Sequence, residues 1–367
     1  MMNKSNWAII IAFLLPILSC SKREPPKSAL YISTSDGNQY AIDLKTDKLK
    51  WRTEGRKEDQ LLSYFSIKGD KIVKASHSKT FYEINKNTGK VNWTYQDKLS
   101  ANRAYYGYDF SEIIDVCFSQ YPVLYKNAMI YGNTQGELKS VDLTTKRVNW
   151  TWQASVPVSF PPSLLNDRLI LNFGYQIMCF SANTGKRFES LEFKTAVPNE
   201  TTVDGNHFYV ADEEGSAFCI DSNMNTVWVY NPTDKDRSSS KVVTGKSQVI
   251  YGSHRITSLD KTTGKLQWTT LLPNDAGALY IELIANEISI NCFHHIFVLD
   301  SASGKILREK NIPKSELTGR MRYANGFYYY WTTNNTLYKI DKDLKSESVV
   351  YKAGGTTPMN DTYMIAE

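Results

Sequence analysis

Two adjacent histidines, five cysteines and two arginines one residue apart are the side chains in this sequence best suited to metal, redox or anion chemistry. His294-His295 invites a metal reading, but neighbouring residues of an extended segment point to opposite faces and cannot close on one ion. Cys20, Cys117, Cys179, Cys219 and Cys292 form no C-x-x-C pair and no spacing typical of zinc ligands. Cys179 and Cys219 fall at equivalent places in successive repeat units, farther apart than the roughly 7 Å between Cα atoms that a disulfide tolerates. They read as small buried residues. His77, His207 and His254 lie in separate units, and no nucleophile–base pair can be argued from spacing. The expectation is therefore no catalytic site, no metal and no cofactor. Arg320 and Arg322 share one face of a predicted inner strand, with Met321 and Tyr323 on the other. Facing a central channel they would offer a small cationic site for a carboxylate or phosphate, unless acids such as Glu282 pair with them.

The elements that must position these residues are set by a repeat. Its clearest copy is Leu259-Asp260-Lys261-Thr262-Thr263-Gly264-Lys265-Leu266-Gln267-Trp268. Asp260 can accept backbone N–H bonds in an Asx-turn, Thr263 can do so more weakly, and Gly264 supplies a positive φ. In the strand that follows, a period of two would put Leu266 and Trp268 on one face. The position of Asp260 recurs as Asp43, Asn85, Asp142, Ser181, Asp221, Asp260, Asp300 and Asp341, at intervals of 42, 57, 39, 40, 39, 40 and 41 residues. The tryptophan recurs as Trp51, Trp93, Trp150, Trp228 and Trp268, while Glu189, Arg308 and the region near Ser348 replace it in the other units. One large flat side chain per unit is a device for docking on the next unit. A period near 40 with four short strands per unit predicts an all-β, eight-bladed β-propeller of four-stranded antiparallel blades. In the sixth unit the strands are expected at 241–244, 248–252, 255–260 and 265–271.

Length and composition fit. Repeat folds escape the size limit of a single core because each sheet packs only on its neighbours, so one propeller can use residues 29–367. The chain is 41% hydrophobic and 13% aromatic with 23 tyrosines, as suits many half-buried strands. Its formal charge of +5 becomes +4 without Lys4, too weak to imply nucleic-acid binding. The first unit is one inner strand short. The stretch from Thr356 to Ile365, similar to Phe160–Ile170, is expected to pair back into it and join the two ends of the chain, although Thr362–Glu367 competes with Ala29–Thr34 for the second-strand position. The interval of 57 marks an insertion at about 98–117, taking 118–124 as the inner strand of the third blade. It carries Arg103, Tyr105, Tyr106 and Tyr108, residue types that dominate interface hot spots, and is the expected partner-binding segment. Alternatively its tyrosines cover an apolar edge of the blades, anchored by Ile113, Ile114 and Val116.

Residues 1–19 join Lys4 to a twelve-residue apolar run, too short for a comfortable permanent span, and read as an export signal. Ile17-Leu18-Ser19-Cys20 resembles a bacterial lipobox, which would place lipid on Cys20. Residues 20–28, with Pro25-Pro26, then form a tether.

The segments 41–51, 83–93 and 258–268 resemble the tryptophan-docking motif of PQQ-type β-propellers over roughly residues 29–367. Copies depart from it at Asp47, at Lys146-Arg147, in the shorter Asp221–Trp228 and throughout the eighth unit. That superfamily includes quinoprotein dehydrogenases and the BamB-like lipoproteins of the outer-membrane barrel-assembly machinery, which scaffold other proteins without a cofactor. The dehydrogenases hold their quinone against a disulfide between consecutive cysteines, with calcium beside it. No two cysteines are consecutive in this chain. The resemblance therefore implies a non-catalytic envelope lipoprotein, lipid-anchored at the outer membrane facing the periplasm and binding an envelope protein. The alternatives are carbohydrate binding, suggested by Phe327-Tyr328-Tyr329-Tyr330-Trp331, and PQQ-dependent dehydrogenation. The same aromatic run falls at a second-strand position, where alternating aromatics pack between blades.

Overall fold

Short runs of β-branched and aromatic residues between tight turns leave each unit one route to burial, a small sheet packed face to face on its neighbours. The computed structural model describes residues 27–34, 37–55, 65–75, 80–97, 121–133, 135–158, 160–235, 240–312, 317–354 and 362–367, which form eight four-stranded antiparallel sheets. They are the eight blades of the expected propeller. From the axis outward, blade 1 contains Thr362–Ala366, Ala29–Thr34, Gln39–Asp43 and Lys48–Thr53. Blade 2 runs from Phe65–Lys68 to Val91–Gln96, and blade 3 from Val123–Tyr125 to Val148–Gln153. Blade 4 spans Ser163–Leu165 to Arg187–Glu192, blade 5 Thr202–Asp204 to Thr226–Tyr230 and blade 6 Val243–Thr244 to Leu266–Leu271. Blade 7 spans Tyr280–Ile284 to Ile306–Asn311 and blade 8 Leu317–Ala324 to Glu347–Lys352. The core is a ring of eight apolar layers, one between each pair of adjacent blades. The layer between blades 5 and 6, for instance, brings together Tyr209, Trp228, Val249, Tyr251 and Leu259.

Three expectations are corrected. The strands of blade 6 include an inner one of Val243–Thr244, shorter than 241–244, and an outer one of Leu266–Leu271, one residue shorter than 265–271. That of blade 3 is Val123–Tyr125, later than 118–124, and residues 118–120 lie outside those described. Leu266 and Trp268 do not share a face. Trp268 lies opposite Ser258 and Leu266 opposite its neighbour Leu259, so Gln267 is the extra residue of a β-bulge. The bulge breaks the alternation, leaving Leu266 49% exposed while Trp268 is buried. A register shift recurs between the third and outer strands of every blade.

The turn before each outer strand has the expected chemistry. Asp260 Oδ1 accepts from the N–H groups of Thr262 at 3.1 Å and Thr263 at 2.8 Å, and Asp43, Asn85 and Asp142 do the same in their own units. The glycine has a second reason to be there. The Trp268 indole N–H donates to Ser301 O at 3.0 Å in the next blade's turn, and a Cβ on Gly304 would lie 2.6 Å from Trp268 Cδ2. Gly89, Gly185 and Gly264 meet Trp51, Trp150 and Trp228 in the same way. Where the preceding blade lacks the tryptophan, the positive-φ residue of the turn is bulky instead. Met224 and Leu344 are buried there, filling the layer from the opposite side. Between blades 8 and 1, Asp47 takes that place and pairs with Lys339. Trp93 faces Lys146, whose ammonium sits 5.0 Å from the ring centroid as a cation–π contact.

The ring is closed by Thr362–Ala366, which pairs antiparallel with Ala29–Thr34 from Leu30–Ala366 to Thr34–Thr362. The C-terminal strand is therefore the innermost strand of blade 1 and Ala29–Thr34 the second, which settles the competition left open by sequence.

Candidate functional site

Each inner strand starts on the face that also carries the connections between second and third strands, because successive strands of a blade run in opposite directions. Two residues ahead of the inner strand, blades 3, 5 and 6 place Tyr121, Glu200 and Lys241, where blades 4 and 7 have Pro161 and Ala278. The ring brings these equivalent positions to one level around the axis, and Arg320 reaches them from blade 8.

Glu200 is the node of this cluster, its side chain 6% exposed. Its Oε1 accepts from Lys241 Nζ at 2.7 Å and from Arg320 Nη2 at 3.0 Å, and its Oε2 accepts from the Tyr121 hydroxyl. The Arg320 guanidinium also lies over the rings of Tyr280, at 5.4 Å, and Tyr363, at 5.5 Å. Tyr121 stacks on Tyr363 with centroids 6.1 Å apart. Blades 1, 3, 5, 6, 7 and 8 all contribute to this pin. Burial alone would raise the Glu200 carboxyl, but the charges of Lys241 and Arg320 dominate and hold it at about 2. Burial pulls the Lys241 ammonium down, opposed by Glu200, and pushes the Tyr121 phenol well up.

One strand position along, Arg322 donates from Nε to Met364 O at 2.5 Å and approaches Glu282 Oε1 at 3.4 Å. Burial raises the Glu282 carboxyl, partly offset by Arg322. Arg320 and Arg322 thus both have acidic partners, Glu282 being the one expected from sequence. They also line a cavity of about 320 Å³ bounded by the inner strands of blades 5, 6, 7 and 8, to which Met321 contributes as well. Glu200, Lys241, Tyr121 and Tyr363 were not singled out by sequence. The signal that could have found them is the single repeat position that holds Tyr, Glu and Lys in three blades and Pro or Ala in two others.

Both stems of the insertion end in buried polar contacts. Before it, Asp97 accepts from Lys139 Nζ at 3.0 Å and from the Tyr131 hydroxyl at 2.8 Å. After it comes Tyr121, bonded to Glu200. Arg103, Tyr105, Tyr106, Tyr108, Ile113, Ile114, Val116 and Cys117 fall outside the described residues, as do Cys20 and its signal segment. Cys179, Cys219 and Cys292 are buried free thiols, and burial pushes Cys219 up to about 11 and Cys292 up to about 12. His295 begins a strand and stacks on Phe297 at 5.6 Å, while His294 precedes that strand and is exposed. Among the described residues no three His, Cys, Asp or Glu side chains are grouped to hold a metal. Tyr328, Tyr329, Tyr330 and Trp331 are buried between blades, so that run offers no platform for sugar rings.

No curated protein matches the sequence. Among solved structures, BamB from Moraxella catarrhalis superimposes with a TM-score of 0.64 at 16% identity, covering 84% of this chain and 89% of that one. The computationally designed protein Ika8 gives 0.68 at 14% identity, over 88% and 93%. Dihydro-heme d1 dehydrogenase NirN gives 0.69 at 12% identity, over 93% of this chain and 75% of that one. At such identities the likeness shows the fold alone. The sequence itself matches one family model over residues 26–158 and 135–349, nearly the whole propeller, and the chain belongs to that family, described as outer membrane protein assembly factor BamB.

Proposed function

We propose that this protein is a non-catalytic lipoprotein of the bacterial cell envelope that serves as a protein-interaction scaffold in outer-membrane protein assembly. The observation that carries this reading is the family match across residues 26–349. The partner-binding element is the insertion, with Arg103, Tyr105, Tyr106 and Tyr108 as its contact residues. In a ring where other units need about 40 residues, this segment is surplus to the sheet, and surplus loops on a rigid scaffold are where binding concentrates. Its two stems support the reading. The segment leaves and rejoins the ring at fixed points, Asp97 with Lys139 at one end and Tyr121 with Glu200 at the other, which hold its two ends at defined places on the scaffold.

Replacing Tyr105, Tyr106 and Tyr108 together by serine is expected to abolish recovery of envelope protein partners in a pull-down and to leave the melting temperature within about 2 °C, as for surface changes. Full retention of every partner, or a large loss of stability, overturns the assignment. The attachment point is Cys20. Cys20→Ser is expected to release the protein from the membrane fraction or block its maturation, with acyl labelling lost, since stable anchoring depends on the acyl chains. Unchanged fractionation and labelling would remove the anchor from the proposal.

A further inference from the structure

The cavity between blades 5, 6, 7 and 8 has more positive than negative charge around it. Three cations, Lys241, Arg320 and Arg322, meet two carboxylates, Glu200 and Glu282. Glu200 serves two of the cations from a single oxygen, with its other oxygen taken by Tyr121. With each group in its ordinary state at neutral pH, one positive charge is left over. Withdrawing cations from water is costly unless each finds a compensating charge. All three are nevertheless partly buried, with side chains 30%, 19% and 21% exposed in the order Lys241, Arg320, Arg322, and all three border the open volume. The remaining wall joins an aliphatic patch of Val242, Val243, Ile281, Leu283 and Met321 to the polar Thr202, Thr244, Ser289 and Asn291. At about 320 Å³ the space lies at the lower end of the range for small-ligand sites, with an aliphatic patch beside convergent polar and charged groups.

We infer that this cavity binds a monocarboxylate with a short apolar body, its carboxylate set against Lys241, Arg320 and Arg322 and its body against the aliphatic wall. The single surplus charge selects a monoanion over a phosphate dianion, which would leave the site negative. Arg320 suits the role because Tyr280 and Tyr363 lie against its guanidinium and fix its plane, so its remaining N–H groups need no reordering to meet an oxyanion. Carboxylate of this kind has two sources, a free small acid or the C-terminal end of a peptide. The inference is independent of the scaffold reading and of the insertion.

The test is calorimetric titration of the full chain with hexanoate, hexanamide, inorganic phosphate, and a Gly-Gly-Leu-Val peptide as free acid and as amide. Binding of hexanoate or of the free-acid peptide, with none for the matching amide, is the expected result, and which of the two binds names the source. Lys241→Met is expected to weaken the bound acid about tenfold and Glu282→Gln to tighten it about threefold, because one removes a facing cation and the other a facing anion. Opposite signs from two neighbouring changes are not produced by a general loss of fold, and circular dichroism on both variants verifies that the sheets persist. Equal binding of acid and amide, tighter binding of phosphate, no binding of any probe, or affinity unmoved by both substitutions would overturn the assignment.

Discussion

Glu200→Gln is expected to lower the free energy of unfolding by about 3–5 kcal/mol, the usual cost of removing one partner from a buried ion pair. Glutamine keeps the shape of the side chain but leaves Arg320 and Lys241, which share one oxygen of Glu200, close together with no shared counter-charge. The pH dependence tests the cause. In the folded protein the carboxyl titrates at about 2, against an ordinary value of 4.5. The folded pKa is the lower one, so the stability it supplies is fully present above about pH 5 and is lost as pH falls from there towards 2. A shift of that size corresponds to about 3 kcal/mol, in line with the substitution estimate. Denaturant unfolding of both proteins at pH 7 and at pH 3 is the measurement. The gap between them should be wide at pH 7 and much narrower at pH 3. A gap of the same width at both values would mean that Glu200 acts through packing and that its charge is incidental.

Trp268→Ala should cost about 3–5 kcal/mol, the range for truncating a large buried aromatic. The ring fills the layer between blades 6 and 7 and its N–H satisfies Ser301 O, so the variant loses both burial and a donor. Gly304→Ala attacks the same contact from the other side, since its Cβ would enter the space of the ring at a position already held at φ 72°. Leu266→Ala, two residues away, should stay within about 0.5 kcal/mol because the bulge turns Leu266 to solvent. Urea unfolding of the three variants decides it. If Leu266→Ala proves as damaging as Trp268→Ala, the described register of the outer strand is wrong.

The fold was legible because its signal is redundant. Asp43, Asn85, Asp142, Asp221, Asp260, Asp300 and Asp341 each make a local turn whose chemistry depends on residues two to five places away, so seven weak signals reinforce one period. The irregular copies were legible only as departures, because their reason is a volume shared with another blade. Met224 and Leu344 stand where glycine stands elsewhere, since the blade before each has no tryptophan to receive. The outer-strand bulge was invisible for a different reason: alternation is assumed when a face is read from sequence, and one extra residue such as Gln267 carries no mark of its own. Least legible was the axial cluster. Arg320 and Arg322 were found from their spacing, but Glu200 and Arg320 are 120 residues apart and meet only because the ring closes.

Closure by Thr362–Ala366 also sets a schedule. The strand Ala29–Thr34 is buried along its whole length, yet one of its edges is covered only by residues more than 300 positions later. Because the chain is delivered N-terminus first, that edge waits for the last strand to arrive before it is paired. During this interval blade 1 presents an unpaired row of backbone donors and acceptors, the kind of edge that recruits strands from other chains. The ring is thus vulnerable from the first blade made until the last strand arrives, and any factor that shields the early blades would act before the propeller exists as a ring.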